Sequence, residues 1–147
     1  MIDSSLVHAT AVAIDGAAIL LRGPPGAGKS DLALRLIEGG ARLVADDQVL
    51  LRRANDRVLV RAPATIAGLL EVRGVGIVRV EPLDEAPLAL IVDLVPSEQV
   101  ERIPDNRSEV VLGLAFPLIA LAPFEVSAAT KLRFAWRALA HGAIHRR

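Results

Sequence analysis

The chain has 147 residues, the size of one domain. Its 17 Lys and Arg balance 17 Asp and Glu, and this zero net charge excludes a general nucleic-acid binder and electrostatic docking on an anionic membrane. Cys is absent, which excludes disulfides and thiolate metal sites.

The first residues, "MIDSSLVHAT", contain neither a basic segment nor a long apolar one, so no signal peptide is read. "LVHATAVAID" (6–15) alternates apolar with small or polar residues and predicts a strand. Asp15-Gly16 is a hairpin turn signal, and "AAILLRG" (17–23) is the returning strand. "GPPGAGKS" (23–30) then fits G-x-x-x-x-G-K-[ST], a loop that holds phosphate. Gly23, Gly26 and Gly28 allow backbone N–H groups to converge on phosphate oxygens, and Pro24, Pro25 and Ala27 complete the cradle. Lys29 can reach the β- and γ-phosphates of a nucleotide, and Ser30 can ligate Mg²⁺. The helix that follows, 29–38, puts Leu32, Leu36 and Ile37 on one face and stops at Gly39-Gly40.

"ARLVADDQVLLRR" (41–53) reads as a strand interrupted around Asp46 and Asp47. Two adjacent carboxylates there can act as base and metal ligand, or simply mark a solvated strand end. Asn55-Asp56 is a turn, and "RVLVRAP" (57–63) returns. In "LLEVRGVGIVRV" (69–80), Glu71 and Arg73 share a side if the segment is extended, and Gly74 and Gly76 suggest a bend or a close approach to ligand. "GIVRV" (76–80) and "LALIVDLV" (88–95) read as further strands, the latter similar to a Walker B strand with Asp93 as metal ligand. The uncharged run Val110–Phe124 is short for a membrane span and is broken by Gly113, Pro117 and Pro123, so a soluble cytoplasmic domain is expected. The C-terminal helix (127–142) carries Leu132, Ala135, Trp136 and Leu139 at helical spacing, with Ser127 as N-cap. His141 and His145 are assigned no role. Strands outnumber helices and a tidy βαβ alternation is missing, which predicts an α/β fold with mixed strand directions. The hydrophobic fraction is 52% with only three Phe and one Trp. That is either an Ala-rich bias or more apolar surface than one core hides, as in an oligomer.

Together these blocks resemble the catalytic domain of the HPr kinase/phosphorylase family. His8 lies in the strand before the loop, "GPPGAGKS" and the helix "SDLALRLIEGG" follow, then "RLVADDQV", and "LLEVRGVGIVRV" is similar to that family's signature segment. The resemblance covers roughly residues 8 to 80. It implies a P-loop fold of the phosphoenolpyruvate-carboxykinase type, one kinase domain over 1–147, and ATP- and Mg²⁺-dependent phosphorylation of a serine on HPr, a phosphocarrier of the sugar phosphotransferase system. Many members also run the reverse reaction with inorganic phosphate. Carried over by position, Asp46 is the general base, Ser30 and Glu71 hold Mg²⁺, Lys29 binds phosphate, and His8 is an active-site residue held by one of the two Asp. Strand alternation favours Asp46 over Asp47. Arg73 is a further catalytic candidate. Members usually form hexamers, which suits the apolar surplus. The chain departs from the family in starting almost at Met1, where most members carry another domain, and in lacking a Gly-Arg-Asn segment with its catalytic arginine. A kinase with weak reverse activity is therefore expected. The alternatives are a small-molecule P-loop kinase that uses Asp93, and a catalytically weak nucleotide-binding regulator.

Overall fold

The computed structural model describes residues 3–142 and 144; His145 lies outside the described residues. In chain order the elements are β1 (Ser4–His8), β2 (Thr10–Ile14), β3 (Ala17–Arg22), α1 (Lys29–Glu38), β4 (Arg42–Ala45), β5 (Gln48–Ala54), β6 (Arg57–Arg61), β7 (Leu69–Val72), β8 (Gly76–Arg79), β9 (Ala86–Leu94), β10 (Ser108–Val111), β11 (Leu114–Leu121) and α2 (Ala128–Ala140). Among the described residues the result is the expected strand-rich α/β architecture of mixed direction, with two α-helices. No helix among the described residues is long and apolar enough to cross a membrane.

The segment read as one strand over 6–15 is two strands, broken at Ala9. The break lets the chain change partners: β1 pairs with β5, whereas β2 pairs with β3 and β4. The opposing segment breaks at the same level, between β4 and β5, where Asp47 adopts the left-handed backbone at φ 71°. The N–H of Ala9 donates to the Asp47 carbonyl at 3.3 Å and bridges the two breaks. With β1–β2 and β4–β5 each taken as one bent ribbon, the pairings close a ring, from β5 through β6, β9, β3 and β2 to β4.

One apolar cluster draws on every strand of that ring and forms its interior: Ala11, Ala18, Val49, Val60, Leu88 and their neighbours. Alanines, among them Ala9, Ala11, Ala13 and Ala18, recur through this cluster. Strand alternation sends the intervening residues Val12, Ile19, Leu21, Leu90 and Val92 to the opposite face. There they bury Leu32, Ala33 and Leu36 of α1 and Ala128, Ala129 and Leu132 of α2. The helical faces thus agree with their sequence spacing. Ser127 occupies the N-cap position of α2 but makes no side-chain cap. Its φ of −85° and ψ near 0° are already close to helical, so its hydroxyl is not turned back onto the first-turn amides as an extended N-cap residue's would be.

β10 and β11 form a hairpin, most of it within the uncharged run that gave no strand signal. β11 pairs with β10 over residues 114–117 and with β9 over residues 118–121, and its apolar residues run without alternation. Its parallel pairing with β9, and that of β9 with β3, has a positional consequence. The segments that leave the C-terminal ends of β3 and β11 emerge at one edge of the sheet, where open α/β sheets bind ligands.

Candidate active site

The first of those segments is the glycine loop, 23–28, which runs from β3 into α1. Gly28 caps α1 with φ 98°, in the left-handed region that only glycine enters freely. It offers no side chain to occupy the first-turn amides, so the helix start stays open to an anion. Lys29 folds back over the loop, its Nζ donating to the Gly23 carbonyl at 2.7 Å and the Pro24 carbonyl at 3.1 Å.

A cleft of about 420 Å³ opens beside the loop. Pro25, Gly26, Gly28, Lys29 and Ser30 form one wall, and Asp47, Glu71 and Arg73 another. Residues separated by more than forty positions in the sequence are thereby brought together. The β7–β8 hairpin supplies Glu71 and Arg73, and its turn at Gly74 and Gly76 uses positive φ at both glycines. Gly23, Pro24 and Ala27 belong to the loop but not to the cleft wall.

Asp46 lies behind the cleft, 7% exposed. Its Oδ1 accepts from the Ser30 hydroxyl at 2.7 Å and the Thr10 hydroxyl at 3.0 Å, and its Oδ2 accepts from the Glu71 N–H at 3.1 Å. One carboxylate therefore ties together β2, α1 and β7. Asp47 is exposed and faces the cleft. Alternation, which favours Asp46 for the open position, ends at Ala45, and the left-handed turn at Asp47 resets the direction of its side chain. His8 is exposed on β1 opposite Gln48. It lies outside the cleft wall and bonds to neither Asp, contrary to expectation. The cause is the break at Ala9: the two aspartates sit level with Ala9 and Thr10 rather than with His8.

Asp93 does not reach the site. It lies at the end of β9, beside the loop-bearing strand, but Leu21, Val92 and Leu94 take the helix-facing positions. Alternation sends Asp93 and its register partner Arg22 to the far face. Arg22 Nε donates to Asp93 Oδ1 at 2.8 Å, and Arg22 Nη1 and Nη2 bind both oxygens of Glu109. The bidentate bonds to Glu109, then those to Asp93, raise the Arg22 pKa above its ordinary value; the same bonds hold the Glu109 carboxyl below its own. Asp93 is thus a strand-tying ion-pair member, and the metal role considered for it fails.

Thr10 and Phe124 are cleft residues that sequence reasoning missed. Thr10 is fully buried, and its hydroxyl also accepts from the Asp47 N–H at 3.4 Å. The only hint was a polar residue inside an apolar strand. Phe124, in the segment after β11, also lines the cleft.

Comparisons with known proteins bear on the family and the fold. The family model for the HPr Serine kinase C-terminal domain matches residues 1–120. A protein named HPr kinase/phosphorylase from Exiguobacterium sp. is 47% identical over 78 residues, 52% of this chain and 25% of that protein. Another of the same name, from Geobacillus kaustophilus, is 39% identical over 130 residues, 80% of this chain and 42% of its own length. The chain therefore spans less than half the length of these curated relatives. A solved structure of the Hpr(Ser) kinase/phosphatase from Coxiella burnetii superposes with a TM-score of 0.84 at 26% identity, covering 94% of this chain and 97% of that one.

Proposed function

The chain belongs to the family of HPr serine kinase C-terminal domains, and from that premise we propose that residues 1–147 act as an ATP-dependent kinase for a serine on an HPr-like phosphocarrier protein. One observation carries this reading: a single cleft gathers Lys29 and Ser30 of the phosphate loop with Asp47, Glu71 and Arg73. Phosphoryl transfer asks for that set, a cradle for the transferring phosphate and a carboxylate beside it to receive the serine proton. In this reading Lys29 leaves the Gly23 and Pro24 carbonyls to meet the β- and γ-phosphates. The serine hydroxyl oxygen bonds to the γ-phosphorus as the bond to the β–γ bridging oxygen breaks, and ADP leaves. The hydroxyl proton passes to Asp47. Asp46, filled by three donors, acts instead by holding Ser30 and the Glu71 backbone in place.

The donor set fits Mg²⁺, a hard cation that prefers oxygen and keeps several waters. Among the described residues no group of three or more His, Asp or Glu stands ready to hold a metal alone. That favours an ion shared with nucleotide phosphates, and the Ser30 hydroxyl and the Glu71 carboxylate would hold it. When bound, the ion supplies charge neutralisation at the phosphates. A reaction that draws on ATP and a phosphocarrier of sugar uptake belongs in the cytoplasm. Exposed Leu6, Val110 and Phe134 support self-association, with a hexamer the assembly that the family resemblance suggests.

The test is transfer of labelled γ-phosphate from Mg-ATP to HPr-like proteins of the same cell, with phosphoserine located by mass spectrometry. Lys29→Ala should abolish transfer with the fold intact. Asp47→Asn should keep ATP binding and lose turnover by on the order of 10²–10⁴-fold. ATP binding with no transfer to any such protein would leave a nucleotide-binding regulator instead.

A further inference from the structure

Phe124 is 71% exposed although it is aromatic, and it lines the cleft. Its backbone is tied down and its ring lies beside the loop. A Cβ placed on Gly28 would meet ring carbons Cζ and Cε1 at 3.0 and 3.1 Å, so the ring edge rests on the glycine that starts α1. Arg35 of α1 donates to the carbonyls on both sides of it, to Glu125 at 3.2 Å and to Pro123, and pairs with Asp31 at 2.9 Å. The ring is thereby tied to the same helix whose start forms the phosphate cradle. The parallel pairing of β3, β9 and β11 brings the two segments to one edge in the first place. Pro25 and Leu34 add apolar surface to the same cleft. Tyr is absent from the chain, and Phe116 and Trp136 pack against the two cores.

Resting on the kinase reading, we propose that Phe124 is the stacking platform for the base of the bound nucleoside triphosphate. A flat heterocycle presents a π-face to such a ring whatever its edge groups are, so stacking is tolerant of base identity. Anchoring the backbone on both sides of the ring in advance lowers the entropic cost of binding. The expected ligand class is a nucleoside triphosphate with little choice between adenine and guanine. A protein partner seated on the ring is the rival occupant.

The experiment titrates the full chain, with Mg²⁺, against ATP, GTP and inorganic tripolyphosphate by calorimetry, for the unaltered protein, Phe124→Ala and Phe124→Trp. In Phe124→Ala, affinity for ATP and GTP should fall together by roughly tenfold or more, the scale of one base–aromatic stack. Tripolyphosphate affinity should not move, and Phe124→Trp should keep the nucleotide affinity. An equal loss for tripolyphosphate would make the ring a prop for the loop and overturn the proposal. Unchanged ATP affinity with a raised KM for the phosphocarrier would assign the ring to protein docking, also overturning it. If the unaltered protein binds ATP no more tightly than tripolyphosphate, this inference falls while the kinase reading stands. If it binds neither, both fall.

Discussion

Asp46 and Asp47 are neighbours in sequence with opposite environments, one buried among three donors and one exposed in the cleft. Thr10 touches both: its hydroxyl donates to the Asp46 carboxylate and accepts from the Asp47 N–H. That accepted bond helps hold Asp47 in a left-handed conformation that is uncommon outside glycine and disfavoured for most side chains. On the proposed kinase reading Thr10 is a positioning residue, a role that can be separated from a merely structural one. Thr10→Val keeps the shape and removes the hydroxyl. It should lower kcat with little change in the KM for ATP, and Thr10→Ser should restore it. A rise in KM without loss of kcat would show that Thr10 shapes the pocket instead. Asp46→Ala should act through stability, because it strands the Thr10 and Ser30 hydroxyls and the Glu71 N–H. Leaving a buried polar group unsatisfied costs about 1–3 kcal/mol. For a chain of this size each kcal/mol moves the melting temperature by about 2–4 °C, so calorimetry should read a clear drop.

At the scale of elements, Arg22 joins three strands, its own β3 with β9 through Asp93 and with β10 through Glu109. The Glu109 carboxyl is held below the ordinary carboxylate range chiefly by its bonds to Arg22. A carboxyl with a lowered folded pKa stabilises the fold above its unfolded value, and that contribution fades as pH falls through the folded one. Glu109→Gln should therefore lower the melting temperature at neutral pH and flatten its decline on acidification below about pH 4.5, the ordinary glutamate value. The effect should be modest, since both side chains are about a third exposed; parallel acid profiles for the two proteins would discount the bond. The same tie explains what could be read from the chain and what could not. The loop, α1 and the β5–β6 hairpin were legible because each rests on local chemistry: glycines, helical spacing, and the Asn55-Asp56 turn. The Walker B reading of Asp93 was sound locally and failed on strand pairing, which turned its carboxylate to the far face. β10 and β11 left no periodic trace, since the apolar residues of β11 run without alternation and the strand changes partner midway, from β10 to β9. The choice between Asp46 and Asp47 depended on a strand ending two residues sooner than a continuous alternation implies.

The placement of cations over the whole molecule bears on the reverse reaction named for the relatives. Running backwards, the site must bring inorganic phosphate against a phosphoserine, two anions that the forward reaction never has to force together. Their mutual repulsion calls for extra positive charge at the cleft. The family resemblance supplies that charge through a Gly-Arg-Asn arginine, and no such triplet occurs in this sequence. The fold commits other arginines elsewhere. Arg22 is bound by two carboxylates, and Arg35 clamps the segment around Phe124. Arg133 donates to the Arg35 and Leu36 carbonyls near the end of α1, and Arg107 lines a separate small cleft. Among the described residues, Lys29 and Arg73 are the cations in the wall of the main cleft, and Lys29 belongs to the phosphate loop itself, bonded to its Gly23 and Pro24 carbonyls. Supplied with phosphorylated partner, inorganic phosphate and Mg²⁺, the chain should release pyrophosphate on the order of 10²-fold more slowly than it phosphorylates, the scale of one missing electrostatic donor. Arg73→Ala should then remove what reverse activity remains. Release at a rate comparable to the forward step would mean that a neighbouring copy lends an arginine. In that case the reverse rate per chain would fall on dilution, in step with the loss of oligomer measured by light scattering.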